Sequence, residues 1–119
     1  YYKVKKFHEY FKFCQSFLSE AEAIPPYFKN CFVLLIENFK NKTDDENLNK
    51  QFLEIIKPYQ KQINELTNPE NLFSLTNISI KAKNKNYAYQ LLSIAKNKIT
   101  TETQKKEYDI LENKLNTLQ

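Results

Sequence analysis

No residue of this chain is glycine, although 119 residues of average composition would hold about eight. Glycine enters the left-handed region of backbone space at no steric cost, so turns here must be made by other residues. Its absence excludes a P-loop, a G-x-G-x-x-G turn, a nucleophile elbow and the usual EF-hand loop. Any binding must therefore use side-chain faces rather than a backbone cradle around a phosphate. Arginine is also missing, so all 18 basic residues are lysine and no bidentate guanidinium clamp is available.

The chemistry-bearing residues are few. The single histidine, His8, has no Cys or Ser within local reach and reads as a surface or half-buried residue. Cys14 and Cys31 are too few for a disulfide framework and read as buried thiols. With one imidazole they remain one ligand short of a structural zinc site. No catalytic residue, metal site or cofactor is expected, and the chain is read as not an enzyme.

Apolar residues recur with the period of a helix. Over residues 2–23 they fall at Val4, Phe7, Phe11, Cys14, Leu18 and Ala21, one stripe along a helix. Tyr10, Phe13 and Phe17 widen it beyond a minimal seam. Phe7, Tyr10, Phe11, Phe13 and Phe17 are accordingly a candidate partner-binding face, with a homodimer through helix one as one use of it. Pro25 and Pro26 separate this helix from a second, over about 26–40. That helix is apolar nearly all round, through Val33, Leu34 and Ile36, and is expected at the centre of the bundle.

Thr43 and Glu46 fit a capping box, and Asp44 and Asp45 suit the positive end of a helix dipole. This explains the paired acids without a carboxylate active site. The third helix carries Leu48, Phe52, Ile55, Ile56, Tyr59, Ile63 and Leu66 in phase across Pro58, so one kinked helix is expected. Asn68-Pro69-Glu70 is the clearest helix start in the chain. The fourth helix, with Leu72, Leu75, Ile78, Ser79 and Ala82, runs into Lys81, Lys83 and Lys85. These three lysines are a candidate basic patch, although lysines also complement the negative pole of a helix. Asn84 or Asn86 is expected to take the left-handed cap that glycine usually fills. A fifth helix starts near Tyr87, and Thr100-Thr101-Glu102 leads into a sixth. No run of period two suggests a sheet.

The fold class is therefore all-α, an antiparallel bundle of five to six helices. Residues 1–24 form an amphipathic extension, packing on the bundle or self-associating, and residues 25–119 form a helical-bundle interaction domain. The longest apolar run, Cys31 to Ile36, falls far short of the roughly 20 residues that span a bilayer. The chain begins with Tyr1 rather than Met, so a fragment of a longer protein is expected.

Net charge is +4, unevenly spread: residues 1–42 carry 7 Lys against 4 acids, 43–80 carry 3 against 6, and 81–119 carry 8 against 4. The lysines alternate with Asn and Glu, as on a solvated helix face, so nucleic acid is not the expected partner. Asn41-Lys42-Thr43 and Asn77-Ile78-Ser79 match the glycosylation sequon. They are read as chance matches in a chain with 14 Asn.

From Pro25 onward the chain resembles one known helical module. The stretch from Asn68-Pro69 through Leu72, Leu75, Ile78 and Ala82 to Asn86-Tyr87, then Leu91-Leu92 and Ile94 to Thr100, carries the specific part. It is similar to the C-terminal domain family shared by the large outer-cage subunit of the COPII vesicle coat and the steroid receptor RNA activator protein. In that family a Pro-started helix runs through a charged turn into Asn/Asp-Tyr/Trp and a helix of small and aliphatic residues. Residues 26–66 match only in helix lengths and caps. The chain departs from the family where many members have a His, at Ile94 or Ala95. It departs again in Glu107-Tyr108-Asp109-Ile110-Leu111, which lacks the closing Met and Arg.

The resemblance implies a non-catalytic protein-binding module of a coat scaffold. Its partners would be coat components or cargo-export factors, in the cytoplasm at endoplasmic reticulum exit sites and coated vesicles. The alternatives are an RNA-associated helical module and a self-associating bundle of an unrelated family.

Overall fold

The computed structural model describes residues 2–118, with side chains for all of these except residues 2–5 and 25. Its helices are α1 (Tyr2–Glu22), α2 (Pro25–Phe39), α3 (Glu46–Ile56), α4 (Gln60–Asn64), α5 (Pro69–Lys81), α6 (Lys85–Lys96) and α7 (Glu102–Asn116). No strand occurs among the described residues. The fold is all-α. The side chain of Val4, first in the expected α1 stripe, lies outside the described set.

Pro58 does more than kink the third helix. Its missing N–H leaves the Glu54 carbonyl without its usual donor. α3 stops at Ile56, a 3-10 turn covers Lys57–Tyr59, and α4 adds a single short helix. Counted as one broken helix, these three pieces make the total six. Lys98 then closes the end of α4, its Nζ donating to the Asn64 carbonyl at 2.7 Å and to the Leu66 carbonyl.

The helix starts follow side-chain capping. Asn68 accepts from the Glu70 amide at 3.0 Å, with Pro69 in the first turn of α5. Thr101 and Gln104 form a capping box on α7. On α3 the cap is Asp45, which accepts from the Leu48 amide at 3.0 Å, and Thr43 instead accepts from the Asp45 amide. The expected box on Thr43 and Glu46 is thus displaced by two residues. Asp caps as well as Ser or Thr, and this start lets the buried Asn49 donate to the Thr43 and Asp45 carbonyls.

The end of α5 also departs from expectation. Lys83, not Asn84 or Asn86, occupies the left-handed region, with φ 60°. The Asn84 amide donates to the Ser79 carbonyl at 2.9 Å and the Lys83 amide to the Ile80 carbonyl at 3.0 Å. That is the paired bonding of a Schellman motif, with lysine where glycine normally stands. Asn84 is released to cap α6, accepting from the Tyr87 amide at 3.2 Å.

The core joins every long helix. Phe11, Cys14, Leu18 and Ala21 of α1 belong to the same buried cluster as Phe32, Phe39, Phe52, Ile56, Leu72, Ile78, Leu91 and Leu115. Phe39 and Phe52 stack with centroids 4.1 Å apart, and Phe7, Tyr10 and Phe11 surround Phe39. The extents of 37 × 37 × 21 Å describe a slab about two helices thick.

α5, rather than α2, is the central helix. It buries nine residues, and its polar members Thr76 and Ser79 donate to the Leu72 and Leu75 carbonyls one turn back. α2, expected at the centre for its apolar surface, leaves Tyr27 64 % and Leu34 66 % exposed.

Candidate functional site

The aromatic residues of α1 divide between two surroundings. Phe11 lies in the chain's own core. Phe7, Tyr10 and Phe17 are half-buried against it. Phe13 is 58 % exposed and stacks on Phe17 at 5.6 Å, which fixes it against the helix while leaving its outer face open. α1 therefore packs on the bundle through Phe11, Cys14, Leu18 and Ala21, and offers solvent mainly Phe13 and the flank of Phe17.

α2 continues that surface. The Tyr10 hydroxyl donates to Asn38 Oδ1 across the α1–α2 seam at 2.8 Å, which marks one flank of the pair. Phe13 and Phe17 follow Tyr10 at helical spacing. Leu34, Cys31 and Tyr27 precede Asn38 at the same spacing on α2. Both rows thus border one flank of the seam, with exposed Ile24 in the connection. Five large apolar side chains (Phe13, Phe17, Ile24, Tyr27 and Leu34) share this flank, and the exposed polar residues Lys12, Ser16, Asn30 and Asn38 rim it. An apolar centre with a polar rim is the anatomy of a protein interface.

The α2 part of this surface was not recognised as a site from sequence. Its sequence signal is the apolar run through Leu34, which by itself is equally the signal of burial. Helical period separates the faces of a helix without telling which neighbour covers each.

The lysine cluster is largely occupied. Lys81 pairs with Asp44 Oδ1 at 3.0 Å and donates to the Lys40 carbonyl at 3.3 Å. Lys85 donates to the Leu118 carbonyl at 3.3 Å and lies 6.0 Å from the Tyr89 ring centroid. Lys83 is the left-handed turn residue. Two of the three ammonium groups thus tie helix ends together instead of converging on one anion.

His8 is exposed on α1, and both thiols are free. Cys14 is buried and Cys31 half-buried. Burial pushes the Cys14 thiol up to about 11, against smaller opposing effects of Tyr10 and Lys42. Its thiolate is therefore scarce at neutral pH, and the residue behaves as a small apolar core group. The Tyr87 hydroxyl, pushed up to about 12 by burial, donates to Gln60 Oε1 at 2.7 Å and joins α6 to α4. Among the described residues no group of three or more His, Cys, Asp or Glu is placed to hold a metal ion. No described helix is long and apolar enough to cross a membrane.

No protein-family model matches this chain, and no curated protein or solved structure matches it at a significant level.

Proposed function

We propose that this chain is a non-catalytic helical interaction module that receives an apolar helix face of a partner protein on the α1–α2 flank. The observation that carries this reading is the exposure of Phe13, Tyr27 and Leu34, which helical spacing sets on the flank marked by the Tyr10–Asn38 bond. Large apolar groups gathered on one surface mark interaction sites more often than singly scattered ones do.

The finer reading is that the module belongs to a COPII coat scaffold and acts at endoplasmic reticulum exit sites. It rests on the resemblance of residues 68–100. The order of elements agrees with it: a helix, a capped helix, the Pro-started α5, a charged turn, and α6 carrying Tyr87 and small or aliphatic residues.

Phe13→Asp combined with Leu34→Asp tests the surface. Both sites are exposed, so the helical circular dichroism of the variant should match the parent. A full-length tagged protein should concentrate at exit sites and co-purify with coat subunits, and the double variant should do neither. Absence of the parent from exit sites removes the coat assignment. Retained partner binding by the folded double variant removes the surface. If sedimentation shows a doubled mass that the double variant abolishes, the partner on this flank is a second copy of the chain.

A further inference from the structure

The exposed surface of α1 carries a charge pattern that complements itself. Lys12, Ser16 and Glu20 are all exposed and fall four residues apart, on one ridge of the helix. The ion pairs of the described residues, Lys40–Glu37, Lys50–Glu46 and Lys81–Asp44, leave both Lys12 and Glu20 unpaired. At the helical rise the two charges stand about 12 Å apart along the axis, with the small Ser16 midway between them. Phe13 and Phe17 each follow a member of this ridge, about 100° round the helix on the side of Tyr10, and so toward α2.

Read in the opposite chain direction, Lys-x-x-x-Ser-x-x-x-Glu becomes Glu-x-x-x-Ser-x-x-x-Lys. A second α1 laid antiparallel on the first, Ser16 against Ser16, therefore sets Lys12 of each copy opposite Glu20 of the other. Glu9 falls opposite Ala23, so no two carboxylates meet. A two-fold axis normal to the plane of the two helices keeps Phe13, Phe17 and α2 of both copies on the same side of that plane. The exposed Tyr27 and Leu34 of the two copies are then carried toward one another, together with the Phe13–Phe17 stacks.

We infer that the occupant of the α1–α2 flank is a second copy of this chain, docked antiparallel about a two-fold axis at Ser16. The inference rests on the flank reading proposed above and names its partner. Apolar burial supplies the attraction, while the two Lys12–Glu20 pairs fix the register and select the partner. An unrelated helix could cover the apolar residues equally well but would match this order of charges only by coincidence. Identical copies bring the match by symmetry.

Sedimentation equilibrium of the chain over a concentration series tests it. The parent should reach twice the monomer mass, and Phe13→Asp with Leu34→Asp should remain a monomer. Lys12→Glu and Glu20→Lys each oppose like charges at both pairs and should weaken the dimer about tenfold or more. Both sites are exposed, so the circular dichroism of these variants should match the parent. The decisive sample mixes the two charge variants, one of them fluorescently labelled. In the mixed dimer both pairs regain opposite signs, so it should form with the parent's affinity although neither variant associates well alone. A parent that stays monomeric at about 100 μM overturns the inference, and the flank reading is then judged separately by co-purification of a partner. A dimer that survives Phe13→Asp with Leu34→Asp overturns it as well, as do charge variants whose mixture associates no better than each alone.

Discussion

Lys83 sits at φ 60°, where the Cβ of an L-residue crowds its own backbone, so Lys83→Gly should stabilise the chain. Left-handed backbone costs a residue with a Cβ about 1–2 kcal/mol. Glycine returns roughly 0.5–1 kcal/mol of that through its larger loss of freedom on folding. The net gain from removing the Cβ is therefore about 0.5–1 kcal/mol. The Lys83 side chain is exposed and makes no hydrogen bond or ion pair among the described residues, so little else is lost. Its charge near the negative pole of α5 is worth about 0.3 kcal/mol at an exposed site. Lys83→Ala removes the same charge but keeps the Cβ, so the difference between the Gly and Ala variants isolates the backbone strain.

Urea denaturation followed by far-ultraviolet circular dichroism measures it. The Gly variant should unfold at roughly 0.5 M higher urea than the Ala variant, with an unchanged slope. Its thermal midpoint should lie about 2–4 °C higher. Equal midpoints, or a lower one for glycine, would refute the argument that this turn carries strain. Asn84→Ala provides the opposite sign at the next residue. It leaves the Tyr87 amide without its cap and should cost about 0.5–2 kcal/mol.

Three further outcomes follow from particular surroundings. Leu35→Ala should cost about 2–5 kcal/mol in urea denaturation and Leu34→Ala at most about 0.5 kcal/mol, because the first residue is buried and its neighbour exposed. An alkylating reagent at pH 8 should modify Cys31 well before Cys14, read by mass spectrometry, and both should react in denaturant. The Glu107 carboxyl is raised by partial burial first and then by repulsion from Glu70, with Lys40 opposing and Glu37 adding. The folded state therefore holds this proton to higher pH than the unfolded chain does, and stability falls as pH rises from the unfolded value through the raised one. Glu107→Gln should raise the thermal midpoint at pH 7, and the gain should vanish below the unfolded carboxyl pKa of about 4.3.

The helices and most of their ends could be read along the chain because the signals are local. A cap such as Asn68 acts on an amide two residues away, and Pro69 acts on its own turn. The period of Leu72, Leu75 and Ile78 identifies a buried stripe in the same way. Lys83 was not legible, because any of several residues around the turn can accept the left-handed conformation and the choice depends on where α6 must start. Asn84 caps α6 more usefully than it would terminate α5, so the strain falls on its neighbour. The meeting of Glu37, Glu70 and Glu107 at one cleft is equally hidden. Glu37, Glu70 and Glu107 are far apart in the chain, and each reads locally as an ordinary exposed acid. Only the packing of both α2 and α7 against α5 brings them to the lining of one cleft of about 380 Å³.

The exchange of roles between α2 and α5 connects fold to function. Hydrophobic content alone favours α2 as the central helix, yet centrality depends on how many sides are covered. α5 is covered by α2, α3, α6 and α7. It can carry Thr76 and Ser79 into that position because their hydroxyls bond within the helix and ask nothing of neighbours. α2 meets α1 on one side and α5 on another, within a slab only 21 Å thick. One row of its side chains has no helix to face. A chain needing only a folded monomer would favour polar residues in that row, as it has in Asn30. Tyr27 and Leu34 stand there instead, both largely exposed. The apolar surplus of α2 thus exceeds what its own core can bury, and a partner's apolar face is the covering that accounts for it.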